Sequence, residues 1–150
     1  MALGVSLSEA ASLALHGMAL IANANQDEMI NVKTMADASQ SSEAHLAKVM
    51  QRLVRAGILD SVRGPRGGFR LAKPPEKITL LAICEVIEGK LDFEGCPAGK
   101  SKCPLNRCLF TGFIAETGAA FREYLAKVTI ADVRAVGLND DMLSFMTNKK

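Results

Sequence analysis

The stretch Leu53-Val54-Arg55-Ala56-Gly57-Ile58-Leu59-Asp60-Ser61-Val62-Arg63-Gly64-Pro65-Arg66-Gly67-Gly68-Phe69-Arg70-Leu71-Ala72 decides the fold. Its first residues end a helix, because Gly57 suits the left-handed position that follows a last turn. Ile58 to Arg63 and Phe69 to Lys73 are short β-compatible runs, and Gly64-Pro65-Arg66-Gly67-Gly68 between them is turn chemistry. The pattern predicts a β-hairpin with a basic tip. Upstream, Leu46, Val49, Met50, Leu53 and Val54 recur at i, i+3, i+4, i+7 and i+8, the apolar stripe of a helix capped by Ser41 or Ser42. Glu43 sits in its first turn, where the helix dipole favours an acid. Before it, Asn31 is the cap expected for a short helix over Val32 to Ala38.

Working outward, Leu7, Ala11, Ala14, Met18 and Ile21 predict a first helix from about Ser8 to Ala22, followed by a polar break over Asn23 to Asp27. Pro74-Pro75 closes the hairpin, since neither residue can donate to a strand ladder. Thr79 caps a helix to Glu88 with Leu80, Ile83, Cys84 and Ile87 on one face, and Gly89 stops it. A loop from Lys90 to about Pro104 precedes a long helix expected over Leu105 to Lys127. Thr129 and Asp132 form a capping pair for a short helix, Ile130 to Val136, and the tail from Leu138 reads as polar. The long helix carries Phe110, Phe113, Ile114, Phe121 and Leu125, more large apolar groups than one small domain can cover. It is therefore expected to pair with its symmetry mate as a homodimer.

Helix, turn, helix and basic hairpin is the order of a winged helix-turn-helix, in which the second helix enters the major groove. The fold class is mainly α, with a small β-hairpin wing and a long dimerisation helix. The expected organisation is a DNA-binding domain over 1–89, a cysteine-rich loop over 90–108, the dimerisation and short helices over 105–137, and a tail over 138–150. Charge agrees with this reading. His45 to Lys73 carries Lys48, Arg52, Arg55, Arg63, Arg66, Arg70 and Lys73 against Asp60, so it holds +6 of a chain whose net is +2 and the remainder sums to −4. A basic segment in an otherwise acidic chain is the footprint of a nucleic-acid surface. No run approaches the roughly 20 apolar residues that span a bilayer, and no basic leader opens the chain, so the cytoplasm is expected. Phosphate-cradling glycine motifs, nucleophile elbows and HExxH zinc motifs are absent from the sequence. Neither an enzyme nor a small-molecule substrate is expected.

The quoted stretch, its RGPRGGF wing above all, resembles the IscR/NsrR family of winged-helix transcription regulators. Pro74-Pro75-Glu76-Lys77-Ile78-Thr79-Leu80-Leu81 and Thr129-Ile130-Ala131-Asp132-Val133 are similar to the same family, so the resemblance spans nearly the whole chain. It implies a homodimer on a palindromic operator and a cysteine loop able to hold an iron–sulfur cluster. By position, Ala44, Ala47 and Lys48 fall where family members read bases, and Arg63 falls at the wing arginine. Ala47 offers only a methyl group, so readout there would be apolar, as to a thymine methyl. His45 replaces the family's usual Tyr and reads either as a packing residue or as a phosphate contact. Ser42, Arg52, Arg66 and Gly67 complete the candidate contacts to double-stranded DNA.

Cys96, Cys103 and Cys108 are separated by six and then four residues, a cluster that in a reducing compartment points to metal or redox chemistry. Thiolates on a loop that leads into a helix suit an iron–sulfur cluster, of 2Fe-2S or 4Fe-4S type, and the CxxC pairs of zinc ribbons are missing. Three thiolates leave a ligand to find. Leu13-Ala14-Leu15-His16 resembles a family variant in which the histidine is that ligand, so His16 is the candidate and Glu9 the reserve. Ser12 stands where other members have a carboxylate. The alternatives are a helix-surface histidine and a metal-free thiol–disulfide switch. A small iron–sulfur electron carrier is the third possibility, though it would have no use for the wing. Cys84, on an apolar stripe, reads as an inert core residue.

Overall fold

Side-chain caps set most of the helix boundaries in the computed structural model, which describes residues 7–25, 28–91, 104–110 and 112–147. Ser8 opens α1 (Glu9–Asn23), and its side chain accepts from the Ala11 amide. Asn31 opens α2 (Val32–Ser39) by accepting from Thr34 at 2.8 Å. Ser42, rather than Ser41, opens α3 (Glu43–Arg55). Each such cap satisfies an amide that the first turn leaves without a partner, and stabilises by about 1 kcal/mol.

Beyond α3, the strands β1 (Leu59–Val62) and β2 (Gly68–Leu71) pair antiparallel, with Leu59 opposite Leu71 and Asp60 opposite Arg70. A 3-10 turn at Pro75–Lys77 leads to α4 (Leu80–Glu88), which Thr79 caps. α5 (Phe113–Lys127), α6 (Ile130–Val136) and α7 (Asp140–Thr147) follow. Thr129 and Asp132 make the expected capping box of α6. Among the described residues no helix is long and apolar enough to cross a membrane.

α1 is the central element and packs against α2, α3, α4, α6 and β2. Ala11, Ala14, Gly17 and Met18 let those neighbours close in. A Cβ on Gly17 would lie 2.6 Å from Cε of Met50 and 3.6 Å from Sδ of Met35. Met18, Met35, Leu46, Met50, Leu53, Leu59, Ile78, Ile83 and Ile130 are fully buried. Each contributes on the order of 1.5–3 kcal/mol of apolar burial. Ile130 of α6 sits in the same core as the helix-turn-helix. A backbone bridge ties it there: Leu80 N–H donates to Val128 O (2.9 Å) and Ile130 N–H to Ile78 O (2.8 Å).

An isolated two-stranded hairpin is marginal in water. Here Ile30, just before α2, pairs with Phe69 of β2 through two backbone hydrogen bonds of 2.9 and 3.0 Å. Gly68 permits the approach: its φ is +155, and a Cβ there would lie 2.5 Å from Ile30 O. The wing is thereby fastened to the helix-turn-helix at the residue that precedes α2.

Two expectations are corrected. The long helix does not run from Leu105; it begins at Phe113, after Gly112 at φ +80. A helix over 105–112 would gain little, because Leu109 is 80% and Phe110 43% exposed in the single chain. The segment from Leu138 is not a polar tail. Asn139 accepts from the Met142 amide at 2.9 Å and caps α7, while Leu138, Met142 and Met146 pack on the core.

Candidate nucleic-acid interface

α3 buries Leu46, Val49, Met50 and Leu53, which turns its other side outward. Ala44 and Lys48 are exposed there, while His45 and Ala47 are half-buried. Ser42 marks the N-terminal end of this side, its hydroxyl engaged by the His45 amide at 3.4 Å. Four or so residues at the start of a helix, carrying the positive end of its dipole, are what a winged helix presents to DNA.

The wing lies beside this face. Ala47 and Gln51 of α3, Asn31 and Val32 at the start of α2, and Ser61, Arg63 and Gly67 of the wing line one open groove of about 280 Å³. The sequence therefore separated by up to twenty residues what the fold brings together: Ala47 with Arg63 and Gly67. At the tip, Gly67 N–H donates to Gly64 O at 2.9 Å, which holds Pro65 and Arg66 out into solvent. Arg70 pairs with Asp60 across the ladder at 3.7 Å. Arg63 and Arg66 have no acidic partner among the described residues, so the wing's unneutralised charge lies at its tip.

Sequence reasoning missed Asn31, Gln51 and Ser61 as lining residues. Gln51 was legible in principle, since it lies one turn beyond Ala47 on the same helical side. Asn31 and Ser61 were not, because only the Ile30–Phe69 bridge brings them to the groove.

Arg52 was expected among the DNA contacts, and the fold engages it elsewhere. Its Nη2 donates to the carbonyls of Val86 (2.8 Å) and Ile87 (2.7 Å). α4 has no basic residue in its own last turn, and Arg52 supplies one from α3.

The chain matches the sequence profile of the Rrf2 family, described as "Iron-dependent Transcriptional regulator", over residues 7–135. The chain belongs to the Rrf2 family. This Rrf2 member is a transcription regulator. It is 32% identical over 129 residues to the HTH-type transcriptional regulator NsrR of Shouchella clausii, covering 82% of this chain and 85% of that one. Among solved structures, the global cysteine regulator CymR of B. subtilis shares the fold at a TM-score of 0.75 and 24% identity, covering 89% of this chain and 99% of that one. T. potens IscR does so at 0.69 and 24%, covering 95% and 99%.

The second group of expected site residues is only partly described. Cys96 and Cys103 lie outside the described residues. Cys108 is exposed ahead of α5, and its Sγ accepts from the Phe110 amide at 3.4 Å. His16 is exposed on α1, where Glu9, Ser12 and His16 line one side of a groove of about 420 Å³. Across it stand the α2–α3 turn, Leu138 and Met142. The Ser12 carbonyl lies 2.8 Å from Nδ1 of His16. A carbonyl can only accept, so Nδ1 is the donor in this contact and Nε2 is the ring nitrogen turned to other partners. Cys84 is buried in the core as expected. Burial first, then the nearby charges of Glu88 and Glu85, pushes its thiol up and makes it a poor thiolate.

Proposed function

We propose that this Rrf2 regulator binds a palindromic operator as a homodimer and that its affinity is set by an iron–sulfur cluster held by Cys96, Cys103, Cys108 and His16. The observation that carries the DNA reading is the groove that sets Ala47 and Gln51 opposite Arg63 and Gly67. In it the start of α3 reads base edges through Ala44, Ala47 and Lys48, and Ser42 and His45 stand beside the phosphates. Arg63 and Arg66 take phosphate or the electronegative minor groove, and Gly67 lets the backbone come close.

Dimerisation falls to α5. Phe113, Ala120 and Tyr124 recur at i, i+7 and i+11, and so share one side of the helix. Phe113 is 62% and Tyr124 60% exposed in the single chain. Such a seam is buried by an identical one in an isologous pair.

Three thiolates and an imidazole suit iron. The Nδ1–H of His16 held by a backbone carbonyl is the arrangement that metal-ligating histidines take, because it fixes the ring and its tautomer. When bound, the cluster supplies iron–thiolate bonds sensitive to redox state and to competing ligands. The chain's own part is to supply the thiolates from the segment that links α4 to α5.

A second reading, a metal-free disulfide switch, is favoured by one observation: a solved neighbour of this fold, CymR of Staphylococcus aureus, is known in an oxidized form. One experiment separates the two. Protein purified without oxygen is assayed for iron, sulfide and visible absorption, and its affinity for an operator selected from random duplexes is measured before and after nitric oxide or oxygen. The cluster reading expects iron, sulfide and absorption that Cys103→Ser abolishes together with the response. Colourless protein whose affinity still responds to oxidant supports the switch instead. Equal operator affinity of Arg63→Ala and wild type would overturn the wing assignment.

A further inference from the structure

The last turn of α4 is gripped from three sides. Arg52 of α3 donates to Val86 O and Ile87 O at 2.8 and 2.7 Å. Arg122 of α5 pairs with Glu85 and also reaches Leu91 O at 3.3 Å. Ser8, at the start of α1, donates its amide to Glu88 Oε1 at 2.9 Å. Those four consecutive α4 residues are the ones that precede Gly89, and the chain then runs through Leu91 toward Cys96.

A helix C-terminus exposes carbonyls that need donors. Gly89 N–H satisfies Glu85 O at 3.0 Å, and its φ of +83 turns the chain away. Val86 O and Ile87 O are left to Arg52, which lies in α3 one residue after Gln51 and one turn after Lys48. One side chain of α3 is therefore also the cap of α4. If the chain beyond Gly89 is pulled, or if α4 gains or loses a turn there, the two carbonyls shift and α3 loses its hydrogen-bonded hold on α4.

We infer that Arg52 is a positioning residue that passes the state of the cysteine segment to the DNA-reading face by holding α3 to the last turn of α4. The inference rests on the cluster reading above for the origin of the signal. Arg52 itself touches no DNA. Arg122 does the matching work for α5, so the reading helix and the proposed dimer helix answer to the same turn.

The test uses full-length dimers of wild type, Arg52→Gln and Arg52→Lys, each with its cluster and after stripping with a chelator. Operator affinity is measured across a salt series. The wild type is expected to differ between its two forms by about 5- to 150-fold, the usual span of coupling between sites. Arg52→Gln should keep the visible spectrum, while its two forms bind within about twofold of each other. Arg52→Lys, a single-point cation without the planar fork, should fall between.

The salt slope decides the manner of action. A positioning residue leaves the slope of Arg52→Gln equal to wild type, whereas a phosphate contact would make it shallower by about one. A shallower slope, or a ratio as large as in wild type, overturns the inference. Wild-type forms that bind alike fail the cluster reading, and this inference with it. If Arg52→Gln does not fold, hydrogen exchange of the wild type serves. Amides of Gly89–Leu91 and of Gln51–Ala56 should change protection together on cluster loss, and a change confined to one of the two segments refutes the link.

Discussion

Gly68→Ala is the substitution whose effect the coordinates define most closely. The added Cβ would lie 2.5 Å from Ile30 O, 2.6 Å from Ile30 C and 2.9 Å from Asn31 N. All three are backbone atoms, so no side chain can swing aside. The wing must move away from Ile30, and two hydrogen bonds of 2.9 and 3.0 Å go with it. Each is worth about 0.5–1.5 kcal/mol net. An alanine at φ +155 adds strain of about 1–2 kcal/mol. The sum is a loss of about 2–5 kcal/mol. For a chain of this size that lowers Tm by about 4–20 °C. Thermal unfolding at fixed protomer concentration measures it, because the Tm of the proposed dimer depends on concentration. Operator affinity should fall in the same variant, since Arg63 and Arg66 leave their place beside α3. A Gly68→Ala protein with wild-type Tm and operator affinity would refute the claim that the Ile30–Phe69 bridge orients the wing.

Three further outcomes follow from the same coordinates. Phe113→Glu places a charge in the proposed seam of α5 and should give monomer or aggregate by sedimentation; an unchanged dimer would show that the seam lies elsewhere. The carboxyl of Asp132 is held below its ordinary 3.8 by the backbone N–H and then the hydroxyl of Thr129. Its contribution is full above that value and is lost as pH falls through its lower folded value, so the deficit in urea midpoint of Asp132→Asn should shrink on acidification below pH 3.8. The same deficit at pH 7 and pH 3 would contradict the capping role. Finally, Cys84 should resist alkylation at pH 8 until the protein is denatured, because burial and two nearby carboxylates disfavour its thiolate. Labelling of Cys84 in native protein would contradict its burial.

Local chemistry made much of the fold legible in advance. Asn31, Thr79, Thr129 and Ser42, the last one of two candidates, each cap the helix they were expected to open, because a cap needs only a short polar side chain and the amides after it; Ser8, read only as the start of the first helix, caps α1. The turn at Gly64–Gly68 was legible for the same reason. Where long-range contacts decide, the sequence was silent. Nothing near Arg52 in the chain announces that its partners are carbonyls more than thirty residues away. The pairing of Ile30 with Phe69 is equally invisible, since one bridged residue leaves no period-2 pattern. The helix expected from Leu105 failed differently: its apolar spacing was helical, and Gly112 at φ +80 outweighs it. α7 could have been found from Asn139, the acids Asp140 and Asp141, and the four-residue spacing of Leu138, Met142 and Met146.

The bridge between Thr79 and Thr129 has a consequence for how such a chain can change. Two hydrogen bonds of 2.9 and 2.8 Å clasp the backbone where it enters α4 to the backbone where it enters α6. Everything between is a closed loop whose two ends are fixed side by side, with α4 and α6 both seated on α1. Lengthening such a loop is inexpensive, since doubling it adds only about 0.6 kcal/mol of closure entropy. Residues can be gained or lost between Leu91 and Phe113 while the clasp keeps Ile130 in its seat. A chain of this fold can thus vary the length of that segment while α4 and α6 stay seated on α1.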